Sequence, residues 1–312
     1  MESIGVFLQE MMILYGIALL GFIARKSRIL NEYANDVITQ LILYITLPAL
    51  ILFSLDISLS YTFIKDFMWL ITMSIYILVI SIFLAAWMRK SCGLPEKQKS
   101  VYEGLIIFGN QGFIGYAVIF IIFGEQGITY LTVFNLCYLL LIWTYGVHLF
   151  SKNKDAIDWK KIFLNPGVLS TLTGLLIFLL PIGWPEPISN GFEMVGKMTI
   201  PLSMMVIGSL VANFKDKSFF SSMKNISLWK VAIVRLLFIP FLLFPFAALP
   251  VPFMLIIIAV LVSGMPSAPT ISLFAQKYGA DPFFASVGVL LTTVLCMITI
   301  PVLYMILSLV TN

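Results

Sequence analysis

Two short stretches hold the residue types that could do chemistry: Asn110-Gln111-Gly112-Phe113-Ile114-Gly115 and Gly264-Met265-Pro266-Ser267-Ala268-Pro269-Thr270-Ile271-Ser272. Each sets amides, hydroxyls, glycines or prolines inside an apolar run. Proline lacks the N–H that an interior helical turn needs and clashes with the turn before it, so the second stretch must interrupt its helix, and glycine weakens the first. Backbone dipoles exposed in this way suit non-covalent capture of a small ligand, with Asn110, Gln111, Ser267, Thr270 and Ser272 as neutral hydrogen-bonding groups around Gly112, Gly115, Pro266 and Pro269. The half-helix N-termini, expected near Tyr116 and Thr270, each carry roughly half a positive charge and suit an anion such as a carboxylate. Asn135, Tyr138 and Tyr145 share a helical face by their spacing and are expected to wall the same cavity. Thr292 and Thr293 form a candidate sodium site through hydroxyl and carbonyl oxygens. Sodium and the proton are the coupling ions considered, and no cofactor is implied.

Covalent chemistry is poorly supplied. A Ser267 nucleophile needs a base, and the lone histidine, His148, lies at the end of an apolar run. The His-Glu-x-x-His signature of a membrane metalloprotease is missing. Cys92, Cys137 and Cys296 are odd in number and lack metal or redox spacing, so no disulfide scaffold is implied. The expectation is therefore not an enzyme. No Lys, Arg, Asp or Glu falls within the expected membrane centre of the two stretches. Arg235 and Glu103 are placed a few residues inside the cytoplasmic ends of their spans, where snorkelling or pairing is expected.

The setting of these residues follows from composition. A chain of 312 residues with 60% hydrophobic and 11% charged residues, and a mean hydropathy of +1.03, is no water-soluble globule. It reads as an all-α polytopic membrane protein. Runs of roughly 20 apolar residues, enough to cross about 30 Å of hydrocarbon, recur near 4–24, 36–56, 67–88, 101–123, 128–149, 164–182, 192–213, 229–248, 252–276 and 283–309. Ten transmembrane helices are expected. Arg25, Lys26 and Arg28 follow the first run, and no basic residue precedes it, so it is expected to be retained and not cleaved as a signal peptide.

Basic residues follow the odd-numbered spans: Arg89, Lys90, Lys97 and Lys99; Lys152, Lys154, Lys160 and Lys161; Lys215, Lys217, Lys224 and Lys230; Lys277. The opposite loops hold only Lys65 and Lys197. Cytoplasmic loops attract Lys and Arg, so both termini are expected on the non-cytoplasmic side of the plasma membrane. The net charge of +4 follows from this bias, and no nucleic-acid partner is implied.

The chain also repeats itself. Thr46-Leu47-Pro48 in the second span recurs as Thr199-Ile200-Pro201 in the seventh, about 153 residues on. At nearly the same offset Asn110–Gly115 faces Gly264–Pro269, and Phe123-Gly124 faces Tyr278-Gly279. Two pairings at one offset predict five-helix halves, residues 1–149 and 150–312. Because five is odd, the second half enters from the opposite face. Paired Gly/Pro-interrupted helices then cross near the bilayer centre and form the substrate site, as in many secondary transporters.

With those residues in hand, the chain resembles the auxin efflux carrier family, which contains bacterial organic-acid permeases and the plant PIN-type auxin carriers. The similarity rests on "LPALILFSL", on "GNQGFIGYAVIFIIFG" and most of all on "GMPSAPTISLFAQKYGADPFFASVGVLLTTVLCMITIP". The resemblance implies a five-plus-five inverted repeat with helices four and nine broken and crossing. It further implies a scaffold of spans 1, 2, 6 and 7 that holds a homodimer contact, and a mobile transport domain of spans 3–5 and 8–10. Family members commonly carry a proline just after the glycine matching Gly115, where this chain reads Tyr116-Ala117, so a milder first break is expected. The function expected is a secondary carrier of small organic anions, malate-like or malonate-like, with an auxin-like weak acid as the alternative and a non-transporting receptor module as the third reading. The bilayer is its other partner.

Overall fold

The computed structural model describes residues 4–56, 61–151, 164–180, 183–212 and 224–310. Lys152, Lys154, Lys160, Lys161, Lys215 and Lys217, which entered the basic-loop count, lie outside these residues. The described chain is helical, and its β pairing is one isolated bridge between Gly109 and Ser267. Among the described residues six helices are long and apolar enough to cross a membrane: 32–54, 63–91, 111–150, 186–212, 226–248 and 282–309.

In chain order the helices are α1 (Ile4–Lys26), α2 (Glu32–Ser54), α3 (Tyr61–Ser91), α4 (Glu96–Ile107), α5 (Gln111–Phe150), α6 (Pro166–Leu179), α7 (Glu186–Ala212), α8 (Ile226–Ala248), α9 (Phe253–Ser263), α10 (Thr270–Tyr278) and α11 (Pro282–Val310). Their starts are chemically marked. The side chains of Asn31, Asn165 and Asn225 accept from backbone N–H groups of the first turns of α2, α6 and α8, which satisfies donors that have no partner inside the helix. At the exposed start of α4, a hydrogen bond and ion pair from Lys99 (2.5 Å) hold the Glu96 carboxyl below the usual carboxylate range.

The interior irregularities have backbone causes. Pro48 and Pro240 cannot donate to the carbonyl one turn back, and each follows a π-turn, Ile42–Thr46 in α2 and Val234–Phe238 in α8. Such local unwinding is how apolar helices accommodate a missing donor. Helix α5 contains one residue that is not helical, Gly124 (φ 59°, ψ −145°). Only glycine adopts that conformation at little cost, so the 40-residue helix bends there. In the second half Gly279 (φ 73°) ends α10 as a left-handed cap.

The helices cluster into two compact units. One comprises Met1–Met68, Gly112–Leu136 and Trp159–Asn213; the other comprises Trp69–Gln111, Cys137–Asp158 and Phe214–Asn312. In the first unit α1 lies against the C-terminal half of α7 at backbone contact. A Cβ on Gly21 would overlap the backbone of Met205, and one on Gly208 would overlap the carbonyl of Ala18. Small residues permit this approach, which gains van der Waals contact where lipid offers no hydrophobic drive. Helix α2 packs on α6 and α7 in the same way, with Leu55 over Gly174 and Leu50 over Gly196. Buried polar groups pair off: Thr199 Oγ1 with Thr46 Oγ1 at 2.9 Å, Asn35 Nδ2 to Ser209 Oγ at 2.8 Å, and Tyr130 OH to Asp66 at 2.8 Å.

The α1–α7 contact makes a direct prediction. Gly208→Ala is expected to destabilise the protein by about 1–3 kcal/mol through overpacking, while Gly16→Ala, with nothing within 4 Å of the new methyl, is neutral or slightly favourable. Thermal unfolding of the two purified variants in detergent checks it, and equal midpoints would show that the helices slide apart freely.

Candidate functional site

The second unit contains both helix breaks. Helix α4 stops at Ile107, the chain runs extended through Phe108 (φ −98°, ψ 113°), and helix resumes at Gln111 with a π-turn, Gln111–Gly115. Helix α9 stops at Ser263 and α10 begins only at Thr270. Pro266 cannot donate back along α9 and pushes Met265 out of the helical region, and Pro269 has its φ preset for the next helix start. The first break is therefore the shorter, as the absent proline led one to expect. The helix after it starts at Gln111, five residues before the position expected near Tyr116.

An interrupted helix in hydrocarbon leaves N–H and C=O groups without partners, at several kcal/mol each if nothing replaces them. Here many of them are replaced. The two extended segments pair with each other: Asn110 N donates to Pro266 O (2.6 Å) and Ala268 N to Phe108 O (2.9 Å). Ser267 N donates to Thr292 Oγ1 (3.0 Å), Ser267 Oγ to Leu105 O (2.7 Å) and Tyr138 OH to Gly109 O (2.7 Å). Of the last four α4 carbonyls, Gly104 accepts from Phe108 N and Leu105 from Ser267. The other two accept from Arg235.

Arg235 is the residue the sequence misplaced. Its guanidinium is only 2% exposed and donates from Nε to Met265 O (2.9 Å) and from Nη1 to Ile107 O (3.0 Å) and Ile106 O (3.3 Å). It thus joins the carbonyl ends of both interrupted helices. No charged residue lies within the two stretches themselves, but the placement of Arg235 near the cytoplasmic end of its span is corrected, since its side chain reaches both. Helix α8 begins at Ile226, so Arg235 lies about nine residues in, some 14 Å deep at 1.5 Å per residue. A lone arginine in an apolar run was the available signal, and starting the span three residues too late hid it. The π-turn Val234–Phe238 surrounds Arg235 itself, a distortion frequent at functional positions.

Among the described residues no carboxylate lies within ion-pair distance of Arg235. Its compensation comes from the ends of α4 and α9, each carrying roughly half a negative charge. Nη2 has no acceptor among the described residues. That arm points at Gly109, where a Cβ would overlap it and stand 2.8 Å from Cζ. Gly109 is therefore needed for close approach. Gln111 Oε1 and Ser263 Oγ, also buried in this unit, lack partners among the described residues.

The remaining expected residues separate. Thr292 Oγ1, besides accepting from Ser267, donates within α11 to Gly288 O or Val289 O, and Thr293 Oγ1 donates to Val289 O. Ser272 sits in α10 with only a long 3.4 Å contact from Ser286 Oγ. Gly112, Gly115 and Asn135 belong to the first unit. There Asn135 is buried beside the Tyr116 hydroxyl, and its Oδ1 has no partner. Tyr145, expected to wall the cavity, instead donates to Glu103 (2.5 Å), which Arg89 also pairs at 2.9 Å. Glu103 is thus paired, as expected, and His148 is exposed at the end of α5.

Fold and site together define a multi-pass helical membrane protein whose interrupted helices are stitched around a buried cation. The chain belongs to the membrane transport protein family that includes the auxin efflux carriers, whose model matches residues 6–159 and 155–304. It is a family of transporters and not of enzymes. An uncharacterized transporter of Methanocaldococcus jannaschii is 25% identical over 203 residues, which is 62% of this chain and 65% of that one. The match therefore spans slightly less than two thirds of the relative's length.

The stitching predicts graded losses. Tyr138→Phe removes one donor from a buried carbonyl and is expected to destabilise by about 1 kcal/mol, while Gly109→Ala displaces the guanidinium and destabilises by about 1–3 kcal/mol or more. Unfolding midpoints of the two variants test this; a Gly109→Ala protein as stable as the parent would show that the guanidinium is loosely held.

Proposed function

We propose that the protein is a secondary carrier of small organic anions, a malate-like or malonate-like carboxylate, working by alternating access with its substrate site at the paired breaks. The single observation that carries this reading is Arg235, a buried cation with an unfilled donor beside Gly109 and no carboxylate partner among the described residues. An anion brought within about 4 Å of such a charge gains roughly 4 kcal/mol at an effective dielectric of 20, and Asn110, Gln111, Pro266, Ser267, Pro269 and Thr270 surround the break with neutral groups. One unfilled arm favours recognition of one carboxylate, with any second charge held less tightly.

Counting Gly124 as the turn between two passes of α5, and each interrupted pair as one pass, gives ten spans in a five-plus-five inverted repeat. Support comes from Thr46 and Thr199, which the repeat pairs and which touch each other, and from the bridge that joins the two corresponding extended segments at Gly109 and Ser267. Equivalent residues meet where a two-fold axis passes. Spans 1, 2, 6 and 7 would form the scaffold and homodimer contact, with the plasma membrane as location.

The reading is tested by uptake of radiolabelled malate, malonate and indole-3-acetate into proteoliposomes, with counterflow to separate a carrier from a channel. Saturable uptake with trans-stimulation is expected, falling on the order of tenfold for Asn110→Ala or Ser267→Ala, the effect of losing about 1.4 kcal/mol. Preference for indole-3-acetate would select the auxin-like alternative. No uptake of any acid by correctly folded protein would refute the carrier.

A further inference from the structure

We propose that Arg235 is a tethered cation occupying a monovalent-cation site built from the carbonyl ends of α4 and α9, so that a small cation can take its place once the side chain is removed. This deepens the carrier reading and rests on it only for what the site does in transport. In folds with broken membrane helices, unwound carbonyls and half-helix C-terminal ends are the groups that coordinate a coupling cation. Here those groups are Ile106 O, Ile107 O and Met265 O, and a guanidinium donates to all three at 2.9–3.3 Å.

The charge balance is self-consistent. Two helix C-termini of roughly half a negative charge each neutralise about one positive charge, and one is supplied. The first half offers no second cation: between Asp66 and Arg89 the third span is uncharged. A single side chain therefore serves both half-helices. Fit is also asymmetric, since Nε and Nη1 face the carbonyls while Nη2 faces Gly109 without an acceptor. A planar guanidinium can span separated acceptors in this way, whereas lysine is a point charge. The hydroxyls of Thr292 and Thr293, the earlier sodium candidates, are already engaged in hydrogen bonds within α11 and to Ser267 N.

The experiment is thermal unfolding of purified parent, Arg235→Ala and Arg235→Lys in choline, potassium and sodium chloride, each with and without sub-denaturing guanidinium chloride. The parent is expected to unfold at one temperature in all three salts. Arg235→Ala should unfold lower and recover in a saturable way with guanidinium or sodium but not choline, because a ligand that binds only the folded state raises its stability. Arg235→Lys should fall between. A parent stabilised saturably by sodium over choline, or an Arg235→Ala protein that no cation restores, would overturn the assignment, and so would an Arg235→Ala protein as stable as the parent. Should Arg235→Ala not fold, the parent and Arg235→Lys still decide, since a sodium response in the parent or parental stability in the lysine variant contradicts the proposal. The readout involves no organic acid: cation rescue in a protein that transports none would leave the site standing and retire the carrier.

Discussion

Hydrocarbon offers no hydrogen bonds, and this one constraint governs the break in each helix. Every turn lost at Phe108–Asn110 and at Gly264–Pro269 frees backbone groups that must find partners inside the protein. They find them in three ways. The two extended segments bond to each other, side chains from α5 and α11 reach in through Tyr138 and Thr292, and one guanidinium collects the carbonyls of Ile106, Ile107 and Met265. Remove any contributor and a buried carbonyl or N–H is stranded. The breaks are thus stable because they are shared, and a single interrupted helix with the same prolines would lack half of its partners.

Electrostatics and hydrogen bonding coincide at Arg235. A guanidinium this deep would be prohibitively unfavourable without compensation. The helix ends supply it, and in return receive the donors that an intact helix would have provided. What is left over is one unfilled N–H arm beside a glycine, in a setting of otherwise neutral groups. The anionic solute proposed as substrate would complete it. The two breaks differ: the prolines of the second stretch open a longer gap, and the arginine that serves both comes from α8.

Much of the fold was legible. Apolar runs marked the membrane helices and Pro266 and Pro269 marked the second break, whereas the first break lies at Phe108–Asn110, just ahead of the glycines that were expected to open it. The family followed from the same motifs. Residue roles were less legible. The donation of Ser267 Oγ to Leu105 O and of Tyr145 OH to Glu103 was not foreseen, and Arg235 was read as interfacial. Each of those roles depends on a partner far away in the chain, 162 residues for Ser267 and 128–129 for Arg235, and spacing along one helix carries no record of such partners.

The sequence by itself determined that this chain is helical, lies in a membrane, and breaks two of its helices at related positions, because hydropathy, proline and glycine act locally on whatever backbone holds them. It also determined the family. The tertiary structure alone decided how the breaks are satisfied and where the charge sits. A side chain about 7 Å long can serve either the interface or the interior depending on where its helix begins and which way it faces. For Arg235 that choice was made by the carbonyl ends of two other helices, which only folding brings together.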